Sequence, residues 1–257
     1  MKSINIPFIQ ISVAVLFLVG CSVNGEEVED LFGPTAPVSY LTGRFAPEKH
    51  PAFVSLAGYG IPTRGRPILV RQETAEALRA LHAALKKDHP KMPFWVTSGT
   101  RNWYSQKSIW ERKWNGRTLV GGKRLNQSIP DPTRRAKKIL EYSSMPGTSR
   151  HHWGSDVDIN SLTNTYYKKG KGRVLYAWLQ KNAERFGFCQ PYTAGRKAGY
   201  QEERWHWSYR PLSRPLLAQW LEQIKERRAK LMGKFAGSTA SIQLAPVYVE
   251  TINPACK

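Results

Sequence analysis

The sequence predicts a single domain in which helices alternate with short strands. Two observations support this mixed fold: apolar residues recur at helical spacing in several segments, and short runs of β-branched and aromatic residues lie between those segments. The chain has 257 residues, which is enough to build one sizeable hydrophobic core. The sequence contains no internal repeat that would indicate a solenoid or an array.

The clearest helix covers residues 72–87, because Ala75, Leu78, Leu81 and Leu85 share one helical face. In chain order, the patterns predict a helix over 72–87, a strand over 93–98, a helix over 103–114, a short helix within 133–142, a strand over 151–159, a helix over 174–186, a strand over 204–209 and a helix over 215–232. Residues 115–148 are rich in glycine, proline and basic side chains, which predicts a long insertion. Such an insertion can be a lid over a site or a surface elaboration, and the sequence leaves both open.

The first 20 residues predict a signal peptide, since an almost wholly apolar run too short to span a bilayer follows Lys2. The run ends in Leu18-Val19-Gly20-Cys21, which resembles a bacterial lipobox in which Cys21 is lipidated. A signal peptide with a chance cysteine is the alternative. We expect an exported, membrane-anchored lipoprotein that faces the periplasm or cell wall. Its predicted parts are a tether over 21–45, a main domain over 46–232 and a C-terminal tail over 233–257, where 242–249 could add an edge strand.

Charge and cysteine content narrow the expected partners. The net charge of +20 favours anionic partners, but an exported protein meets little nucleic acid, and no nucleic-acid-binding motif is recognised. Besides Cys21, the chain has Cys189 and Cys256. These two can pair in an oxidising compartment or remain free thiols, and neither has the spacing of a metal ligand.

Two short motifs carry the candidate chemistry. The first contains His151 and Asp158, and the second contains Glu203 and His206. Two histidines and one aspartate can hold a zinc ion while leaving a position open for water, and a nearby glutamate can move the proton of that water. A lone histidine on a strand is more often structural, so the residue types alone leave a zinc site and a structural role equally open.

A shared metal site requires a bend in the first motif. His151 and Asp158 are seven residues apart, so an unbroken strand would point them to opposite faces. Gly154 is the place for that bend, because glycine adopts backbone conformations that other residues avoid. His206 would come from a neighbouring strand, on which Trp205 and Trp207 occupy the opposite face.

Both motifs resemble those of the VanY/VanX D-alanyl-D-alanine carboxypeptidase family, the LAS-type zinc peptidases. That family has Ser-x-His-x-x-Gly-x-Ala-x-Asp, followed later by Glu-x-x-His, often with Trp before the His. The matching positions here are Ser149, His151, Gly154, Asp158, Glu203, Trp205 and His206. Asp156 departs from the pattern, which usually has Ala, and it could orient a ligand, bind a substrate amine or face the surface. Residues 98–101 with Gln106, and residues 182–188, extend the resemblance over about residues 70–215.

The resemblance implies an α+β fold in which a small, mainly antiparallel sheet carries the zinc site and is packed with helices. It implies one catalytic Zn²⁺ held by His151, Asp158 and His206. It also implies catalytic roles for Glu203, as general base and acid, and for Arg101, as the cation that stabilises the oxyanion. The implied substrate-binding residues are Ser149, Gln106 and Trp205.

The expected function is a monomeric zinc D-alanyl-D-alanine carboxypeptidase that hydrolyses peptidoglycan stem peptides with metal-activated water. A peptidoglycan endopeptidase of the same family is the close alternative, since no single basic residue stands out as the partner of a substrate's free carboxylate. A non-catalytic, zinc-containing cell-wall-binding lipoprotein is a weaker alternative, because such a binder has no need of Glu203.

Overall fold

The computed structural model describes residues 35–65 and 67–257. The predicted signal peptide, the lipidation site Cys21 and residues 21–34 of the predicted tether lie outside the described residues. In the part of the chain that is described, no helix is both long and apolar enough to cross a lipid bilayer.

Ten α-helices and six strands are described. The helices are α1 (Val38–Leu41), α2 (Gln72–Asp88), α3 (Trp103–Trp114), α4 (Leu125–Ser128), α5 (Pro132–Ile139), α6 (Gly170–Asn182), α7 (Arg210–Gln223), α8 (Arg228–Leu231), α9 (Ser238–Ser241) and α10 (Ala245–Glu250). The strands are β1 (Phe53–Ser55), β2 (Leu69–Arg71), β3 (Val96–Ser98), β4 (Asp156–Ile159), β5 (Phe188–Cys189) and β6 (His206–Tyr209). Short 3-10 helices connect several of them.

The strands form two antiparallel sheets, which confirms the predicted α+β class. One sheet pairs β1 with β2, and the other has the order β3-β4-β6-β5. In the larger sheet, Asp158 of β4 lies opposite His206 of β6. This register brings the two predicted motifs, which are far apart in sequence, to the same point of the sheet.

Alternation along the two central strands divides the sheet into an apolar and a polar face. Val157, Ile159 and Trp207 belong to one buried cluster with apolar side chains of α2 and α6. The intervening residues, among them Asp158 and His206, therefore face the other side. The predicted separation from His206 is confirmed for Trp207, whereas Trp205 precedes β6 and lines the same pocket as His206. A second buried cluster is built around tryptophans of α3 and α7 and includes residues of the C-terminal segment.

The first motif bends as predicted, although not within one strand. Residues 150–153 form a 3-10 helix, and β4 begins only at Asp156. Gly154 joins them with a φ of 71°. A Cβ atom at this position would lie 2.6 Å from Phe53 Cε1 and 3.0 Å from the backbone nitrogen of Arg71. Glycine is thus required both by the backbone conformation and by the close approach of the smaller sheet.

Helix predictions hold best where the apolar spacing is regular. Helices α2 and α3 lie where predicted, and α5 falls within the predicted insertion. The single helix predicted over 215–232 is wrong, because α7 begins at Arg210 and ends at Gln223, before α8. Helix α7 can begin before Pro215 because Pro211 lies in its first turn, where a proline removes no helical hydrogen bond.

Both predicted flanking segments belong in part to the folded domain. Tyr40 and Leu41, in the described part of the predicted tether, are fully buried. The edge strand expected over 242–249 is wrong, since this stretch forms a 3-10 helix followed by α10. Its buried residues Ile242, Ala245 and Val249 are spaced by three and four, which is the spacing of a helix.

A disulfide joins Cys189 of β5 to Cys256 near the C-terminus. This pairing resolves the alternative that the sequence left open. Both cysteines are buried, and Cys256 lies in the same apolar cluster as Trp220. The end of the chain is therefore fastened to the edge strand of the larger sheet rather than forming a loose tail.

Candidate active site

The three predicted metal ligands come together on the polar face of the larger sheet. His151 Nε2 lies 3.4 Å from one carboxylate oxygen of Asp158, and His206 Nδ1 lies 3.4 Å from the other. Among the described residues, these three form the group whose ligand atoms lie within 4.8 Å of one another, close enough to share a metal ion. The two strands supply Asp158 and His206, and the 3-10 helix before Gly154 supplies His151.

The donor atoms at this point fit a zinc ion. His151 Nε2 and Asp158 Oδ1 are buried and have no hydrogen-bond partner within the described chain. Buried polar atoms without a partner are unfavourable, and a metal ion bound between these two atoms would satisfy both. Two imidazole nitrogens and one carboxylate oxygen are a donor set that suits Zn²⁺ and leaves a fourth position open.

Each imidazole is oriented through its other ring nitrogen. His151 Nδ1 lies 2.8 Å from the carbonyl oxygen of Gly99, and His206 Nε2 lies 2.9 Å from Oδ1 of Asp156. Asp156 is completely buried and does not line the pocket, so the interpretations that place it at the surface or against a substrate amine are wrong. It contacts a predicted metal ligand instead.

The candidate ligand residues shift one another's pKa values. Burial opposes ionisation of Asp158, but His151 and His206 outweigh it and lower the pKa of Asp158 to about 2. Burial likewise disfavours the charged form of His206, but the carboxylates of Asp156, Glu203 and Asp158 raise its pKa to about 9. The pKa of His151 is lowered by burial and by Arg101. Asp156 keeps a lowered pKa despite its burial because of Arg150 and His206.

Glu203 lies beside the ligand group, as the second motif predicts. Its Oε2 atom is 3.3 Å from His206 Nδ1, and its burial raises the pKa of the carboxyl group. Two backbone contacts fix its position: its N–H donates to the carbonyl of Tyr192, and its own carbonyl accepts from the side chain of Gln190. A carboxyl group that is held in place and has a raised pKa is suited to act as a general base and acid.

Arg101 reaches the same pocket from the loop after β3. Its backbone N–H donates to the carbonyl of His151 at 3.0 Å. Its side chain lines the pocket, and its Nε atom is buried without a hydrogen-bond partner among the described residues. An arginine in this place can stabilise a developing negative charge, which is the role that the resemblance implies.

His152, the neighbour of His151 in the chain, holds this loop in place. Its Nδ1 atom lies 2.6 Å from the carbonyl of Arg101, and its Nε2 atom accepts from the N–H of Gly147 at 3.0 Å. Burial lowers its pKa to about 3, so the ring stays neutral and can make both contacts. The second histidine of the pair is structural, whereas the first is a candidate metal ligand.

The site opens into a pocket of about 280 Å³. Sequence reasoning missed several of its walls because they come from separate elements: Lys113 from α3, residues 142–144 from the insertion, and Tyr192 and Tyr200 from the segment after β5. The pocket is lined by Arg101, Gln106, Ile109, Lys113, Tyr142, Ser143, Ser144, His151, Asp158, Leu162, Tyr192, Tyr200, Glu203, Trp205 and His206. The insertion thus contributes a wall of the site.

Two of the three predicted substrate contacts lie at this pocket. Gln106 donates to the carbonyl of Ser144 at 2.7 Å and keeps its buried Oε1 atom unpaired among the described residues. Trp205 lines the pocket and packs against Tyr142 at 6.1 Å between ring centroids. Ser149 is buried and does not line the pocket.

Comparison with known proteins gives both sequence relatives and structural neighbours. The chain is 30% identical to YodJ of Bacillus subtilis (strain 168) over 144 residues, which cover 54% of this chain and 46% of YodJ. It is 37% identical to the D-alanyl-D-alanine carboxypeptidase of Enterococcus faecalis (strain ATCC 700802 / V583) over 72 residues, which cover 26% of this chain and 25% of that protein. The matches thus span less than half the length of these curated relatives.

Solved structures with a similar fold include the LdcB LD-carboxypeptidase, at 21% identity and a TM-score of 0.49, covering 74% of this chain and 78% of that one. The VanY D,D-pentapeptidase from a VanB-type resistance cassette, in complex with Zn(II), aligns at 25% identity and a TM-score of 0.43. The alignment covers 60% of this chain and 80% of that chain. The family model for VanY D-alanyl-D-alanine carboxypeptidases matches residues 67–212, a range that contains both motifs. The chain belongs to the VanY D-alanyl-D-alanine carboxypeptidase family.

Proposed function

We propose that this protein is a zinc-dependent D-alanyl-D-alanine carboxypeptidase that hydrolyses peptidoglycan stem peptides. The observation that carries the proposal is the convergence of His151, Asp158 and His206, two of which keep unpaired buried donor atoms, beside the carboxylate of Glu203. Membership of the family and the name of the Enterococcus faecalis relative support the substrate class.

Glu203 and Arg101, beside the ligand group, have separate roles in amide hydrolysis. A zinc ion held by His151, Asp158 and His206 would act as a Lewis acid and lower the pKa of a bound water to about 7. Glu203, whose pKa is raised by burial, takes the proton of the attacking water and passes it to the leaving amine. Arg101 offers a fixed cation to the carbonyl oxygen as it gains charge, and one such donor is worth on the order of 3 kcal/mol of barrier.

Replacing Glu203 by Gln tests this assignment directly. We expect the variant to keep its zinc but to lose activity by a factor of about 10²–10⁴, because the amide cannot accept the proton. Purified residues 22–257, loaded with zinc, are incubated with a stem pentapeptide and with cross-linked muropeptides, and products are read by mass spectrometry.

Loss of one terminal alanine, absent in Glu203→Gln, supports the carboxypeptidase. Cleavage of internal or cross-linking bonds alone makes the protein an endopeptidase of the same family. If zinc binds and neither substrate yields a Glu203-dependent product, the protein is a non-catalytic binder and the proposal fails.

Lys113 favours a carboxypeptidase over an endopeptidase. A carboxypeptidase needs a partner for the free carboxylate of its substrate, and Lys113 is the lysine among the pocket-lining residues. Its ammonium group donates to the hydroxyl of Ser143, and burial and the nearby Arg101 lower its pKa. A substrate carboxylate would give the half-buried ammonium group of Lys113 a direct negative partner, which no side chain of the described residues provides as an ion pair.

We expect Lys113→Met to raise KM for a pentapeptide with a free C-terminus by about 10–100-fold, since a hydrogen bond to a charged group is worth about 1.5–3 kcal/mol. Methionine keeps the length and apolar character of the side chain. Lys107→Met is the matched control, because Lys107 lies on the same helix and pairs with Glu111 outside the pocket. Equal KM values for Lys113→Met and wild type, or an equal rise for a C-terminally amidated peptide, would contradict this role.

Zinc binding is expected to release a proton from His206. With a pKa of about 9, His206 is an imidazolium at pH 7 in the metal-free protein. Its Nε2 proton is held by Asp156, so the metal must displace the proton on Nδ1. The zinc affinity should rise about tenfold per pH unit from pH 6 to pH 8. Calorimetry in buffers of different ionisation enthalpy measures the released proton, and a pH-independent affinity would refute the expectation.

Export as a lipoprotein is part of the proposal. The lipobox-like residues ending at Cys21 support it, and the disulfide between Cys189 and Cys256 suits an oxidising compartment. We expect the full-length protein to fractionate with membranes in a bacterial host and Cys21→Ala to be lost from that fraction. Equal membrane association of both proteins would argue against lipidation at Cys21.

A further inference from the structure

The two histidines of the ligand group are held by partners of different charge. His151 Nδ1 contacts the neutral backbone carbonyl of Gly99 at 2.8 Å. His206 Nε2 contacts the carboxylate of Asp156 at 2.9 Å. The rings therefore present different atoms to the centre of the site, Nε2 from His151 and Nδ1 from His206. Asp156, the charged partner of His206, occupies the position where the family pattern usually has alanine.

Asp156 is itself fixed by a buried network. Its Oδ1 atom accepts from Nε of Arg150 at 3.0 Å as well as from His206, and its Oδ2 atom accepts from the hydroxyl of Ser155. Arg150 in turn donates to the hydroxyl of Ser208 at 2.6 Å. Asp156, Ser155 and Ser208 have no exposed surface, and Arg150 is 2% exposed.

This network settles which nitrogen of His206 is free. A carboxylate can only accept, so the Nε2 atom must carry the proton that lies between the two groups. Arg150 neutralises the carboxylate and prevents it from turning away, because Asp156 would otherwise lose its charged partner in the interior. With Nε2 protonated, Nδ1 is the nitrogen that can offer a lone pair once its own proton is displaced, and it faces Asp158 and Glu203 at 3.4 and 3.3 Å.

We propose that Asp156 is a positioning residue for metal binding: it fixes the tautomer and the ring orientation of His206, and Arg150 holds it in place. The inference rests on the proposed zinc site. A carboxylate behind a ligand imidazole orients the ring and makes it a stronger donor, and loss of such a partner typically weakens metal binding by about 10–100-fold.

A purely structural role makes a different prediction. The Arg150–Asp156 pair joins the 3-10 helix of the first motif to β4, so it also contributes to local stability. If that were its whole function, any variant that disturbs the network would lower stability and leave the intrinsic zinc affinity of the folded protein unchanged.

The experiment compares Asp156→Asn with Ser208→Ala in purified residues 22–257. Both substitutions disturb contacts within the network, but only the first removes the charge that faces His206. Zinc dissociation constants are measured by chelator competition, Co²⁺-loaded proteins are examined by absorption spectroscopy, and the melting temperature is recorded for the metal-free forms. Because Asn could leave Arg150 unpaired and prevent folding, a second variant, Asp156→Ala with Arg150→Met, removes both charges together.

We expect the zinc dissociation constant to rise by about 10–100-fold in both Asp156 variants and to stay within threefold of wild type in Ser208→Ala, with an altered Co²⁺ spectrum only in the Asp156 variants. An unchanged zinc constant and spectrum in whichever Asp156 variant folds would overturn the inference while leaving the zinc site intact. If the wild-type protein binds no zinc, the proposed function itself fails, and the inference fails with it.

Discussion

The antiparallel pairing of β4 with β6 is the interaction on which the site depends. It places Asp158 opposite His206 and Val157 opposite Trp207, so one face of the sheet carries the candidate ligands and the other joins the apolar core beneath α2 and α6. Side chains alternate along a strand, and a slip of one residue would turn His206 into that core and bring Trp207 to the pocket. The apolar face therefore specifies the register, and the register positions the ligands.

Keeping so many charged groups beneath the pocket is costly, and the chain offsets this cost by pairing them. Arg150 neutralises Asp156, which in turn contacts His206, while Asp158 lies between the two imidazoles. Inside a protein, a buried charge without a partner is far more unfavourable than a neutral side chain. His151 Nε2 and Asp158 Oδ1 are among the buried atoms that no hydrogen bond satisfies within the described chain, and a cation bound between them would pair with both.

Sequence reasoning reaches the ligands but not the walls of the pocket. His151, Asp158, His206 and Glu203 are predictable because both motifs resemble those of the family, whereas the residue types alone leave a structural role equally open. Lys113 is not, because nothing in a helical pattern shows which lysine of α3 turns toward a cleft formed by distant loops. The contact of Asp156 with His206 is also invisible, since it depends on pairing across two strands. The 115–148 segment and the C-terminal residues show only weak sequence patterns, because their short helices are stabilised by tertiary packing rather than by local periodicity.

The C-terminal segment supports the site although it lies outside the region matched by the family model. Asn253 donates from its backbone to the carbonyl of Pro191 and from its side chain to the carbonyl of Gln190, and the disulfide fastens Cys256 beside them. The loop that begins there carries Tyr192, which packs against His206 and accepts the backbone hydrogen bond from Glu203. A chain that ended after α7 would leave this loop without those contacts. Because this loop holds the carboxylate of Glu203, the candidate general base, Asn253 and Cys256 belong to the architecture of the site rather than to a separate tail.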